Sequence, residues 1–335
     1  MRWDRPLDDQ RADVEEMGAY LTSLLPLADV TVVDGSRADL VIAHRAVWPP
    51  GIRVMTPDGR AGVNGKVVGA LSGIAAARHD RVVLADDDVR YDRDSLTEVY
   101  RALDAADVVR PQNVFTEWPW HARWDFCRAL VARAFAADWP GTFGLRASSV
   151  AGMGGWSADV LFENLEMVRT ARANGCVVVN RPDIVVGRRP AVVTHFWSQR
   201  VRQAYDDLAQ PARLAVELGV LPLVAACVVW RPSLLPALAA ASVGLAEWGR
   251  RRGGRLHIPI SVPLWAPVWV LERGVCVWLA LAAGARGGVR YHGRRLRVSA
   301  HPQSSLAQVR GPVRPVRPGA VASLVADPAV PDPSP

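Results

Sequence analysis

The chain has 335 residues, half of them hydrophobic, enough for one large or two modest domains around a buried core. That apolar share excludes a wholly disordered chain. Four cysteines (Cys127, Cys176, Cys227, Cys276), roughly fifty residues apart and without a CxxC pair, exclude a zinc ribbon, a redox dithiol and a disulfide framework. Of 40 basic residues 39 are arginine, Lys66 being the one lysine, and the net charge of +7 gathers in arginine clusters at 250–255 and 286–297. Each cluster flanks an apolar run, which is a membrane pattern; a nucleic-acid module would interleave its arginines with polar, groove-facing segments, so no nucleic-acid partner is expected.

Met1 to Gln10 is charged and proline-broken, unlike a secretory signal. Val14, Met17, Leu21 and Leu24 share one helical face, and Val30–Val33 is a short apolar strand that ends in Asp34-Gly35-Ser36. The theme repeats: Val67, Leu71 and Ile74 share a face, and the strand Arg81–Ala85 ends in Asp86-Asp87-Asp88. Strands alternating with helices over residues 1–110 predict a mostly parallel sheet, with both acidic turns at strand carboxyl ends, where such sheets bind ligands. Residues 111–210 are mixed, with tryptophans at 118, 120 and 124, a strand at Thr142–Arg146 and a helix near 161–174. Two apolar runs, 214–230 and 233–248, flank Arg231-Pro232; each makes a helix about 25 Å long, marginal for a bilayer core of about 30 Å. The apolar run 256–284 is interrupted by Pro259, Pro263, Pro267, Glu272 and Arg273, which suits an interfacial or re-entrant segment as well as a span. Residues 301–335 carry eight prolines and no periodic face, and read as a disordered tail.

Three adjacent carboxylates repel one another, and a divalent cation relieves that repulsion. Mg²⁺ or Mn²⁺ held by one or two of these carboxylates would complete its shell with water and a substrate diphosphate; the bland alternative is a solvated turn capping the next helix. Asp34 can accept from a nucleobase or ribose, or simply form an Asx turn. Lys66, in Asn64-Gly65-Lys66, opens a helix, where an ammonium suits a phosphate, or snorkels at the surface. Glu163 and Glu166 point away from the apolar face of Leu161, Leu165 and Val168, to solvent or into a cleft as a general base. Gln199, Arg202 and Gln203 can bind a diphosphate with Trp197 packing on an acceptor, or belong to a membrane-proximal amphipathic helix.

Asn64-Gly65-Lys66-Val67 with Val82–Arg90 resembles the NPKV … DSDxR pair of family-2-like glycosyltransferases, in particular the ceramide glucosyltransferase and hopanoid glycosyltransferase group. Gly141–Arg146, Gly154-Gly155-Trp156 and Glu163-Asn164 resemble that group's strand, GGF/GGW turn and ED pair. Gln199-x-x-Arg202-Gln203 is similar to its (Q/R)xxRW signature, and 289–295 to its basic WRGRR stretch. The family's ED aspartate is Asn164 here, its final tryptophan is Gln203, and an apolar opening strand before the first helix is missing, Met1–Pro6 being too short and polar to replace it.

The resemblance implies a GT-A-like (Rossmann-like) α/β domain with helices on both faces of the sheet, followed by membrane helices. Its nucleotide-sugar-binding half would be 1–110, its acceptor half 111–210 and its membrane-associated helices 211–300. It implies transfer of a sugar from a nucleotide-sugar donor, UDP-linked, to a lipid acceptor at the cytoplasmic face of the cell membrane. Asp34, Lys66, Asp86 and Asp87 would hold the donor and Asp86 and Asp88 the metal. Trp156, Trp197, Gln199, Arg202 and Gln203 would serve acceptor or diphosphate. Glu163 would be the base in place of the lost aspartate at Asn164, with Glu166 in reserve. The alternative is a degenerate, non-catalytic membrane protein that binds a nucleotide-sugar or scaffolds partners.

Overall fold

The computed structural model describes residues 1–291 and 294–306. Its elements follow the expected alternation at first. Helix α1 (Leu7–Leu24) buries Val14, Met17 and Leu21, and leads into β1 (Thr31–Val33), α2 (Ala38–Val47) and β2 (Arg53–Met55). Helix α3 (Gly65–Ala75) starts where the Asn64 side chain accepts from Lys66 N, a local cap that fixes the lysine in the first turn. Strand β3 (Arg81–Ala85) has the predicted bounds and is followed by β4 (Val89–Arg90) and by α4 (Arg93–Ala102), which an Asp92/Ser95 capping box begins. Then come β5 (Val108–Phe115), α5 (Trp120–Phe135), β6 (Thr142–Arg146), α6 (Ala147–Met153), α7 (Glu163–Ala173), β7 (Val178–Arg188) and α8 (Val193–Tyr205). The C-terminal layer holds α9 (Pro211–Trp230), α10 (Leu235–Arg251), α11 (Ala266–Ala285) and the antiparallel pair β8 (Val289–Tyr291) and β9 (Arg294–Leu296).

The α/β class holds, but the sheet is mixed where a mostly parallel one was expected. β1 and β2 pair in parallel as a two-stranded sheet, and the main sheet runs β3-β6-β5-β7-β4. Within it only β5 and β7 are parallel; β6 returns antiparallel between β3 and β5, and β4 lies antiparallel on β7. The strand expected at Thr142–Arg146 is β6, but helix–strand alternation sets no direction for a strand inserted between two others, so its antiparallel course was not readable. The free edges of β1 and β3 both line a large cleft, and Met1 bridges to the end of β1, its N-terminus bonding Val33 O and its carbonyl accepting from Gly35 N.

Apolar side chains fill both faces of the main sheet. On one, Val67, Leu71 and Ile74 of α3 pack with Phe143, Leu145, Met153 and Val168. On the other, Val99 and Leu103 pack on Val109, Ile184 and Val186. Strand β5 feeds the two faces alternately, Val108 to the first and Val109 to the second, as a pleated strand must. Of the segment read as a disordered tail, 301–306 is folded against the core with a 3-10 turn at Gln303–Ser305; 307–335 lies outside the described residues, as do His292 and Gly293 of the basic stretch.

Candidate active site

The carboxyl end of β3 opens into a cleft of about 2170 Å³. Asp86 N donates to Gly141 O at 2.8 Å, and this pairing lets the backbone at 141 come against the Asp86 side chain. A Cβ on Gly141 would lie 2.7 Å from Asp86 Oδ2, so only glycine admits the observed carboxylate position. Asp86 and Asp88 are paired with cations drawn from distant parts of the chain. Lys66 Nζ lies 2.7 Å from Asp86 Oδ1 and 2.8 Å from Glu163 Oε1, joining the start of α3 to the start of α7. Arg188, the last residue of β7, places Nε 2.8 Å from Asp88 Oδ2 and reaches Asp86 Oδ2 at 3.8 Å. Asp87 takes a bond from Trp3 Nε1 at 2.5 Å.

Electrostatics follow from this packing. Burial pulls the Lys66 ammonium down, but Asp86 and Glu163 more than reverse it and hold its pKa above the ordinary lysine value. Burial pushes the Asp88 carboxyl up against the pull of Arg188, and the charges of Asp86 and Asp87 add to the rise. Asp88 Oδ1 is buried and has no hydrogen-bond partner, the kind of orphaned acceptor that a cation satisfies. A set of carboxylate oxygens suits Mg²⁺ or Mn²⁺, and two carboxylates suffice for an ion that keeps water and phosphate oxygens. Among the described residues no group of three or more His, Cys, Asp or Glu side chains is placed to hold a metal, so Asp86 and Asp88 would leave most of an ion's shell to other ligands.

The opposite wall is α8 and the residue after it. Gln199, Arg202, Gln203 and Asp206 line the cleft, with Arg202 bonded to Gln199 Oε1 at 3.1 Å and stacked over Tyr291 with its guanidinium carbon 4.6 Å from the ring centre. Gln203 Nε2 reaches Asp125 Oδ1 at 3.4 Å, and Arg200 Nη2 holds the same oxygen at 2.5 Å. Burial raises the Asp206 carboxyl to about 7 against the pull of Arg202, with Glu163 and Asp207 adding to the rise. Burial, then Arg202, lowers the imidazole of His195, which also lines the cleft.

Asp86, Asp87, Asp88, Lys66, Glu163, Asn164, Gln199, Arg202 and Gln203 therefore meet in one cleft. Four expected members do not. Asp34 is fully buried, with Oδ2 2.7 Å from His44 Nδ1 and Oδ1 accepting from Ser36 N, so neither oxygen is offered to a nucleotide. Glu166 is also fully buried and turns inward, accepting from the His301 backbone N at 2.8 Å and lying 2.8 Å from its Nδ1. Trp156 packs in the core between α3 and α7. Trp197 sits outside the cleft among Trp120, Trp124 and Phe196. Asn164 uses its amide structurally, donating to Pro140 O at 3.1 Å.

Among the cleft residues that escaped the sequence reading are Arg188 and Asp206. Arg188 is marked only by ending a strand in Val-Val-Gly-Arg-Arg, and Asp206-Asp207 only by following the Gln199–Gln203 run.

Residues 34–112 match the model of Glycosyl transferase family 21, a segment that contains Lys66 and the triple aspartate. No curated protein matches. Among solved structures, a mannosyltransferase from Pyrobaculum calidifontis described in complex with GDP-Man and Mn²⁺ is 18% identical, with a TM-score of 0.46, over 83% of this chain and 85% of its own. Residues 1–349 of TarS from S. aureus, described with UDP-GlcNAc, are 12% identical, with a TM-score of 0.39, over 84% of this chain and 93% of that one. A mycobacterial protein is 18% identical, with a TM-score of 0.37, over 55% and 66% of the two chains.

Proposed function

We propose that the chain transfers a sugar, a UDP-linked hexose, from its nucleotide diphosphate to the hydroxyl of a lipid at the cytoplasmic face of the cell membrane. The observation that carries this reading is the strand-end cluster of Asp86 and Asp88 held between Lys66 and Arg188, within a cleft whose far wall offers Arg202. Residues 1–110 form the donor half and 111–210 the acceptor half. Lys66, Arg188 and Arg202 supply positive charge along the path of a diphosphate, where it neutralises the charge that develops on the departing oxygen. Asp86 and Asp88 would hold Mg²⁺ or Mn²⁺, which when bound adds to that neutralisation.

The acceptor hydroxyl must lose a proton as its oxygen bonds to the anomeric carbon and the bond to the diphosphate breaks. Asn164 cannot take that proton, because an amide oxygen is too weak a base. Glu163 is the proton acceptor of this reading: it lines the cleft, and its Oε1 is tied to Lys66, which orients the group. The Asp206 carboxylate, which has neither a hydrogen bond nor an ion pair among the described residues, is the second candidate.

The test is a survey of labelled nucleotide-sugars with a lipid extract and Mn²⁺, using protein in detergent or vesicles. Transfer of label to the lipid phase is expected; binding of nucleotide-sugar without transfer or hydrolysis would favour the non-catalytic reading, which the structural bond of Asn164 to Pro140 O supports.

A further inference from the structure

Helices α9 and α11 are apolar and long enough to cross a bilayer: the spans Pro211–Trp230 and Pro263–Ala285 have mean hydropathy 2.0 and 1.5. Helix α11, however, is attached to the soluble domain before, along and after its length. Before it, Arg252 donates to Ala134 O, Cys127 Sγ donates to Val262 O, and α10 approaches α5 so closely that a Cβ on Gly249 would overlap Leu130 O. Along it, Ala266 and Trp269 pack with Phe126, Cys127 and Leu130 of α5, and Cys276 and Ala280 pack with Ala204 and Tyr205 of α8. After it, Leu161 N donates to Val298 O, Phe162 N to Ser299 O, and Tyr291 OH to Asn64 Oδ1.

One compact domain cannot occupy both sides of a bilayer. A helix about 30 Å long that begins, runs and ends on that domain cannot cross. Its charges agree: Glu272 and Arg273, mid-helix, turn toward the domain, where Trp124 Nε1 meets Glu272 at 3.3 Å and Arg273 Nη1 meets Asp207 Oδ2 at 3.3 Å. The opposite face presents Leu264, Val268, Leu271, Val275, Trp278 and Leu279 to the outside. Exposed arginines border it at both ends, Arg251 and Arg255 before the helix and Arg286 and Arg290 after it.

We propose that α11 lies in the plane of a single anionic lipid leaflet, its outer face sunk among the acyl chains and its arginine ends at the headgroups, with no crossing between the two arginine clusters. The occupant of this face is lipid because a long apolar strip bordered by arginines and tryptophan matches a headgroup–acyl boundary. The inference rests on the membrane reading of the preceding subsection and fixes its topology.

Two experiments on the full chain separate the claims. Flotation with phosphatidylglycerol vesicles tests the membrane reading: no binding overturns it, and the placement of α11 with it. Single cysteines at His257→Cys and Arg290→Cys, in a chain whose four native cysteines are replaced by alanine, are then treated with a membrane-impermeant maleimide in sealed vesicles of either orientation. Labelling of both from the same side is expected; labelling from opposite sides overturns the in-plane placement and leaves the membrane reading standing. Val275→Asp and Leu279→Asp alter exposed positions only and should weaken vesicle binding about tenfold, with the circular-dichroism melt retained. Undiminished binding by both overturns the assignment of this face to lipid.

Discussion

The two walls of the cleft hold charge in different ways. On the strand side Asp86 and Asp88 are already paired, by Lys66 and Arg188. On the α8 side Arg202 lies over Tyr291 and Asp206 stands without an ion pair. Asp86 and Asp88 are each oriented by a cation that holds one of their oxygens, whereas Asp206 has no such partner and, with burial pushing its carboxyl up to about 7, can exchange a proton near neutrality. The strand wall is thus built to hold a fixed charge pattern, and the helix wall to respond to what enters.

The largest expected effect comes from removing the strand wall's charge. Asp88→Asn is expected to abolish donor turnover while leaving the melting temperature close to the parent's; calorimetry of UDP with Mn²⁺ should show the affinity gain from metal lost. Equal metal-dependent affinity in variant and parent would break the assignment. Glu163→Gln should cut the rate by about 10²–10⁴-fold with donor binding unchanged, the usual worth of a positioned base, as steady-state kinetics and donor calorimetry together would show.

Asp206→Asn sharpens the contrast between walls through pH. If Asp206 takes the proton, the parent's kcat/KM climbs as pH rises through about 7, where the carboxyl ionises, and the variant loses that limb. Stability should move the other way. Between the ordinary carboxyl range and about 7 the folded chain keeps a proton that the unfolded chain has released, so this group's contribution to stability falls as pH rises through that window. The variant should therefore melt higher than the parent at pH 8 and nearly equally at pH 4. A pH-independent difference in melting temperature would count against the buried carboxyl.

The smallest effect is expected at Glu166. Glu166→Gln should leave turnover unchanged and lower stability by about 1–3 kcal/mol, because a neutral amide replaces a buried acceptor of the His301 N–H. Urea denaturation checks the second part, and a loss of turnover comparable to that of Glu163→Gln would show that this residue reaches the cleft after all.

What the sequence showed depended on how local each signal was. The bounds of β3, the position of Lys66 in the first turn of α3 and the triple aspartate were readable because strand pattern, helix cap and turn all lie within a few residues. The fates of Asp34 and Glu166 were not. Each is decided by a histidine, His44 or His301, that folding brings over the carboxylate, the second from 135 residues away. The face assigned to α7 also counted Leu161, which precedes the helix, since α7 begins at Glu163. Arg188 was invisible because its partners sit 100 residues upstream and meet it only through the sheet. The α/β class was legible from alternation, the antiparallel insertion of β6 was not.

Helix α8 is shared by the two halves of the molecule: Gln199 and Arg202 line the cleft from it, while Ala204 and Tyr205 pack against α11. Packed helices keep their axes about 8–10 Å apart. With α11 in the lipid plane as proposed, α8 becomes a fixed ruler that sets the height of the cleft above the acyl boundary. An acceptor would then be selected by stature as well as by chemistry. On that placement a hydroxyl within about one helix diameter of the acyl chains would come level with Arg202, and one carried on a tall headgroup would overshoot it.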